Sequence, residues 1–176
     1  DKDVRYFIVD APAEVLTRAA TSVADALVFN VTEPADALRA ADCAGNLLHT
    51  LPSRAMLADA LAQFLVAKGW RDVLLLKGPL PVDAVLADVF ALAAKKFGAR
   101  IVATKDFSLG FDPRNREQNN IALMTAEPRY DVVYLADSDG EFGRYVPYQT
   151  HLPRPVVGSD GLVASAWDWT WERHGA

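Results

Sequence analysis

The chain has 176 residues, 51% of them hydrophobic, and a formal net charge of −5. That is room for one ordinary domain or two small lobes with a sizeable core. Acids and bases are interspersed with no basic stripe, which argues against a nucleic-acid partner, and no apolar stretch approaches the roughly 20 residues of a membrane-spanning helix. One cysteine, Cys43, excludes an intrachain disulfide and reads as a small, half-buried apolar residue.

In chain order, "VRYFIV" (4–9) predicts a strand, and the alanine-rich stretch at 13–20 a helix. "ALVFN" (26–30) predicts a second strand. A turn-rich segment with a short helix at 34–40 leads to a third strand, "NLLHT" (46–50). The clearest helix follows in "PSRAMLADALAQFLVAKG". Ser53 suits its N-cap and Gly69 the position after its end. Met56, Leu57, Ala60, Leu61, Phe64 and Leu65 predict its apolar face. "DVLLLK" (72–77) is a continuous apolar run, fit for a strand covered on both faces.

Residues 82–98 predict a helix closed by glycine, and "RIVATKDF" (100–107) a strand. "SLGFDPRNREQ" is a polar loop before a helix at 119–126. "YDVVYLA" (130–136) and "RPVVGS" (154–159) are strands, with "GEFGRYVPY" between them as a short helix or turn. "SAWDWTWERHG" is read as a terminal helix, whose tryptophans suit packing. Alternating strands and helices with apolar strands predict a parallel, doubly wound α/β architecture.

Signatures of catalysis are absent. No phosphate-binding glycine loop and no Gly-x-Ser-x-Gly elbow is present, and His49, His151 and His174 are scattered without metal-ligand spacing. No cofactor and no metal is expected. The acidic segment "ADSDGE" (136–141) fails as a calcium loop, because the first and twelfth ligands would fall on Leu135 and Val146. A receiver-like phosphoacceptor at Asp137 would want an acidic pair after the first strand, where Asp10 stands alone. The plainer expectation is a helix start, capped by Asp139 or Ser138 with Glu141 at its positive end. In open α/β sheets ligands sit beyond the carboxyl ends of strands. The residues there are Asn30, Val31 and Thr32, Gly78 and Pro79, Asp137 and Ser138, and Ser159 and Asp160.

The segment "LVFNVTEPADALRAADCAGNLLHTLPSRAMLADALAQFLVAKGWRDVLLLKG", followed by "KKFGARIVATKDF", "YDVVYLAD" and "RPVVGSDGLV", resembles type I periplasmic substrate-binding proteins of ABC transporters, the branched-chain amino-acid-binding group. "DCAGNLLHTLPSRAMLADALAQFL" and "GEFGRYVPYQT" with "PRPVVGSDGLV" look closest to the subgroup associated with pyrroloquinoline-quinone-dependent alcohol oxidation.

The resemblance implies two α/β lobes with a small molecule held in an interlobe cleft, a non-enzymatic role in the periplasm, and a membrane permease as partner. It divides the chain into part of lobe one (1–51) and most of lobe two (52–176), and reads it as a fragment. A second copy, as a homodimer, is expected to cover the incomplete lobe unless the chain is a trimmed remnant. Carried over by position, the ligand contacts fall on Asn30, Val31 and Thr32, on Gly78 and Pro79, on Asp137 and Ser138, and on Ser159 and Asp160. Asp160 stands where amino-acid binders meet the ligand's ammonium group; its other reading is a plain Asp-Gly turn in "GSDG". "KGPLP" lacks the stacking aromatic of that family. The alternative is a receiver-like or flavodoxin-like signalling or binding domain using Asp137.

Overall fold

A computed structural model describes residues 4–108, 114 and 116–158. The chain divides into two compact units, Asp1–Leu57 and Ala58–Ala176.

The first unit holds β1 (Tyr6–Val9), α1 (Ala13–Ser22), β2 (Leu27–Asn30), a 3-10 turn (Asp36–Arg39) and β3 (Leu47–His49). The three strands are parallel, in the order β1-β2-β3. Side chains alternate across a strand, and Phe7 and Val9 turn with Val28 and Leu47 toward Leu16 and Ala20 of α1. Tyr6 and Ile8 face the other way and remain 68% and 79% exposed. Cys43 is exposed rather than half-buried, because the turns after the 3-10 segment run over the surface.

The second unit takes most of α2 (Arg54–Ala67), then β4 (Asp72–Lys77), α3 (Pro81–Phe97), β5 (Arg100–Asp106), α4 (Arg116–Asn119), α5 (Ile121–Met124), β6 (Val132–Ala136), α6 (Val146–Gln149) and β7 (Val156–Gly158). Its four strands are parallel, in the order β5-β4-β6-β7. Both faces are buried. Val73 and Leu75 of β4 join Val132 and Tyr134 of β6 under Leu65 of α2 and Leu86 and Phe90 of α3. Leu74 and Leu76 join Val133 and Leu135 under Ile121, Met124, Phe142 and Val146. Phe90 and Tyr134 stack with centroids 3.7 Å apart.

Two sequence expectations are corrected. In α2 the core takes Ala58, Ala62 and Leu65, whereas Met56, Leu57 and Phe64 stay exposed. The helix packs through its alanines onto Ala93 of α3, where small side chains allow close approach. Its ends are as predicted: the Ser53 hydroxyl accepts the Met56 N–H at 3.3 Å, and Gly69 takes φ 78°. The second correction is in the acidic segment, where no helix starts at 139–141. Asp139 accepts the Glu141 N–H as an Asx turn, and the next helix begins only at Val146. The expected terminal helix and its tryptophans lie outside the described residues, as do Ser159 and Asp160.

Candidate functional site

The carboxyl end of the second sheet is built from two buried carboxylates. Asp83 sits in the first turn of α3, the third residue of the helix, and is 1% exposed. One of its oxygens accepts the Leu80 N–H at 3.0 Å, which satisfies a helix-start donor. The other accepts the Ser138 N–H at 2.8 Å. One side chain thus ties the loop after β4 to the loop after β6. Gly78 lies against it: a Cβ there would overlap the Asp83 carboxylate and come within 2.8 Å of Phe107. Glycine is required at 78 by close approach rather than by backbone angle.

Asp137 follows β6 and is 2% exposed. Its oxygens accept the N–H of Gly143 at 2.6 Å and of Gly140 at 3.2 Å. This curls residues 137–143 around the carboxylate. Burial pushes the Asp137 carboxyl up to about 6; the Gly143 N–H opposes that shift and neighbouring Asp139 adds to it. Phe107 and Phe142 stack beneath, 4.1 Å between centroids. At the same edge Lys77, ending β4, pairs with Asp106, ending β5, at 3.0 Å.

The first sheet ends in a similar device made from an amide. Asn30, the last residue of β2, is fully buried. Its oxygen accepts the N–H groups of Thr32 and Glu33 at 3.2 and 2.9 Å, and its nitrogen donates to the Glu33 carbonyl at 2.7 Å. Two backbone donors on the oxygen fix the amide orientation, so the same nitrogen faces His49 Nδ1 at 3.0 Å as a donor. His49 must therefore keep Nδ1 unprotonated. Consistent with this, burial and then the Arg39 charge lower its pKa. Thr50 closes the row by donating its N–H and its hydroxyl to the Asn30 carbonyl, each at 3.1 Å. Thr32 is exposed and donates to Asp10 at 2.7 Å.

The sequence-selected residues are therefore of two kinds. Asn30, Gly78 and Asp137 are buried and engaged with their own loops. Thr32 and Pro79 are exposed, while Val31 and Ser138 are half-buried. Within the second unit, Gly78 and Ser138 are brought together by Asp83. Asp83 itself was missed in the sequence. Its signal was an acid at the third position of a helix that opens with proline directly after a strand. His49 and Thr50 carried no signal, because only strand register sets His49 beside Asn30.

The chemistry of the edge is that of a rigid polar shelf. Asp137 is closed to a phosphodonor by burial and by its two N–H bonds. Among the described residues no group of three or more His, Cys, Asp or Glu could hold a metal ion, and no helix is long and apolar enough to cross a membrane.

No family model matches the chain, and no curated protein does. Solved structures do. An ABC transporter substrate-binding protein from Desulfitobacterium hafniense, in complex with Leu, matches with a TM-score of 0.67 at 15% identity, over 92% of this chain and 49% of that one. A putative branched-chain amino acid ABC transporter from Rhodospirillum rubrum gives 0.67 at 16% identity, over 87% and 44%. The solute-binding protein of an ABC transporter from R. palustris, in complex with benzoate, gives 0.56 at 17% identity, over 88% and 50%. The fold is that of type I periplasmic binding proteins. The chain spans about half the length of the solved structures it matches.

Proposed function

We propose that the chain is the solute-binding part of an ABC importer, a periplasmic protein that takes a small molecule at the carboxyl ends of its parallel strands and delivers it to a membrane permease. The observation that carries this reading is the engagement of Asn30, Asp83 and Asp137 with their own loops. Loops held this way present a pre-formed surface of backbone groups and hydroxyls, which lowers the ordering cost of binding. Val31, Thr32, Gly78, Pro79 and Ser138 supply the contacts, with Asn30 and Asp137 holding the loops that present them. From the sequence resemblance, Ser159 and Asp160 complete the set, and the lobes divide at 51/52.

The ligand class is a small carboxylate with an apolar body, the chemistry shared by the leucine and benzoate held by two structural neighbours. The link to pyrroloquinoline-quinone-dependent alcohol oxidation rests on the sequence resemblance alone, and it adds the quinone and alcohol-derived acids to the compounds to try. The test is a thermal-shift titration of this chain with leucine, benzoate, pyrroloquinoline quinone and short-chain acids. A ligand of the folded state raises Tm by mass action. A rise with leucine that Asp160→Ala abolishes, beside an unaffected rise with benzoate, assigns Asp160 to the ammonium group. No rise with any of these compounds defeats the proposal.

A further inference from the structure

The helix α3 carries a second apolar stripe, most of it outside the core. Its core residues are Leu86, Ala87, Phe90, Ala93 and Ala94. Val82, Val85, Val89 and Leu92 recur at steps of three, four and three, the spacing by which one helix pairs with another; Val89 is half-buried against Ala58, Ala62 and Ala93, and the other three point outward. Val82 and Val85 are 42% and 47% exposed. Leu92, at 70%, is the most exposed large apolar side chain among the described residues of the second unit.

Charges beside the stripe select a partner and a direction. Asp88 precedes Leu92 by four residues and Lys95 follows it by three. At 100° per residue both fall on the same side of Leu92. At 1.5 Å per residue they stand about 6 Å before it and about 4.5 Å after it. Neighbouring cations are already engaged: Lys96 with Asp59 at 2.5 Å and Arg100 with Asp72 at 2.8 Å. Asp88 and Lys95 are both exposed and form no ion pair among the described residues. An antiparallel copy of α3, related by a two-fold axis through Leu92, sets Asp88 level with the partner's Lys95, and does so twice. A parallel copy sets like charges level instead.

We propose that the outer face of α3 is a self-association surface, on which a second copy of this chain packs its own α3 antiparallel, leucine against leucine, with Asp88 paired to the partner's Lys95. Such a contact is self-complementary, as a two-fold interface must be. The three exposed side chains offer a few hundred Å² at most, below the ~800 Å² per partner of a standard interface, so the dimer is weak and concentration-dependent. It forms whether or not ligand is bound.

Sedimentation equilibrium on this chain up to about 200 µM reads the association directly. Leu92→Glu is expected to weaken it about ten-fold or more while circular dichroism and Tm stay unchanged, because the side chain is already in water. Asp88→Lys and Lys95→Asp each weaken it several-fold by setting like charges together, and the two combined restore it. A monomer over the whole range overturns the proposal. So does a dimer that survives Leu92→Glu, or a double reversal that fails to restore association. Loss of the dimer in Ile8→Glu but not in Leu92→Glu would move the contact to the open face of the first sheet, and would equally overturn it.

Discussion

The four-stranded sheet buries Val73 and Leu75 on one face and Leu74 and Leu76 on the other, while the three-stranded sheet only half-buries Phe7 and Val9 and leaves Tyr6 and Ile8 in water. Both strands are continuous apolar runs in the sequence, "VLLL" and "YFIV". An apolar run commits a strand to two covers, but it does not supply them. In the second unit α2 and α3 cover one face and α5, α6 and the loop around Phe142 the other. In the first unit the described residues that pack on the sheet, among them α1 and the 3-10 turn, cover one face only.

The sharpest break in this comparison comes from Phe90→Ala. It removes a fully buried ring and its stack on Tyr134, so the second unit should lose about 3–5 kcal/mol in denaturant unfolding. Gly78→Ala comes next, because its Cβ meets Asp83 and Phe107 in a loop that Asp83 ties down. Overpacking of this kind costs about 1–3 kcal/mol and should also loosen the Ser138 amide in hydrogen exchange.

The two sheets should also answer pH in opposite directions. The Asp137 carboxyl is raised from 3.8 to about 6, so the folded state holds its proton longer. Its contribution is fully present below about pH 4 and is lost as pH rises through 6. The His49 pKa is lowered from 6.5, so its contribution is present above that value and is lost as pH falls below it. Between pH 4 and 7, amide exchange should slow with rising pH around β3, after correction for the intrinsic rate, and quicken around β6. Asp137→Asn should remove the second trend. Equal trends in both sheets would refute this assignment. The smallest effect is Ile8→Ser, expected within about 0.5 kcal/mol, because that side chain is already 79% exposed. A loss of several kcal/mol there would mean that the open face is covered in solution.

Much of the fold was legible from period and punctuation. The strand 72–77 was placed at its observed ends, and Gly69 and Gly98 marked helix ends that take φ of 78° and 85°. The site was half legible. Strand ends pointed to Asn30, Gly78, Asp137 and Ser138, but not to what they do. The "ADSDGE" segment has the composition of a capped helix start, and composition cannot tell which acid will be buried. Asp137 takes the Gly140 and Gly143 N–H groups that a capping reading assigns elsewhere, because β6 ends with its side chain turned into the protein. In α2 the spacing of the larger side chains points to one buried face, yet only Leu65 of them is buried, beside Ala58 and Ala62, since contact with α3 rewards closeness over area.

By itself, the sequence determined that this is a parallel α/β chain with polar turns at the strand ends, because hydrophobic period and glycine placement are local properties. Tertiary structure alone decided the engagement of Asp83, Asp137 and Asn30, and the outward turn of Leu92, Tyr6 and Ile8. Local bonds start these loops, but Asn30 meets His49 from 19 positions away and Asp83 meets Ser138 from 55 positions away. Only the folded packing sets those distances.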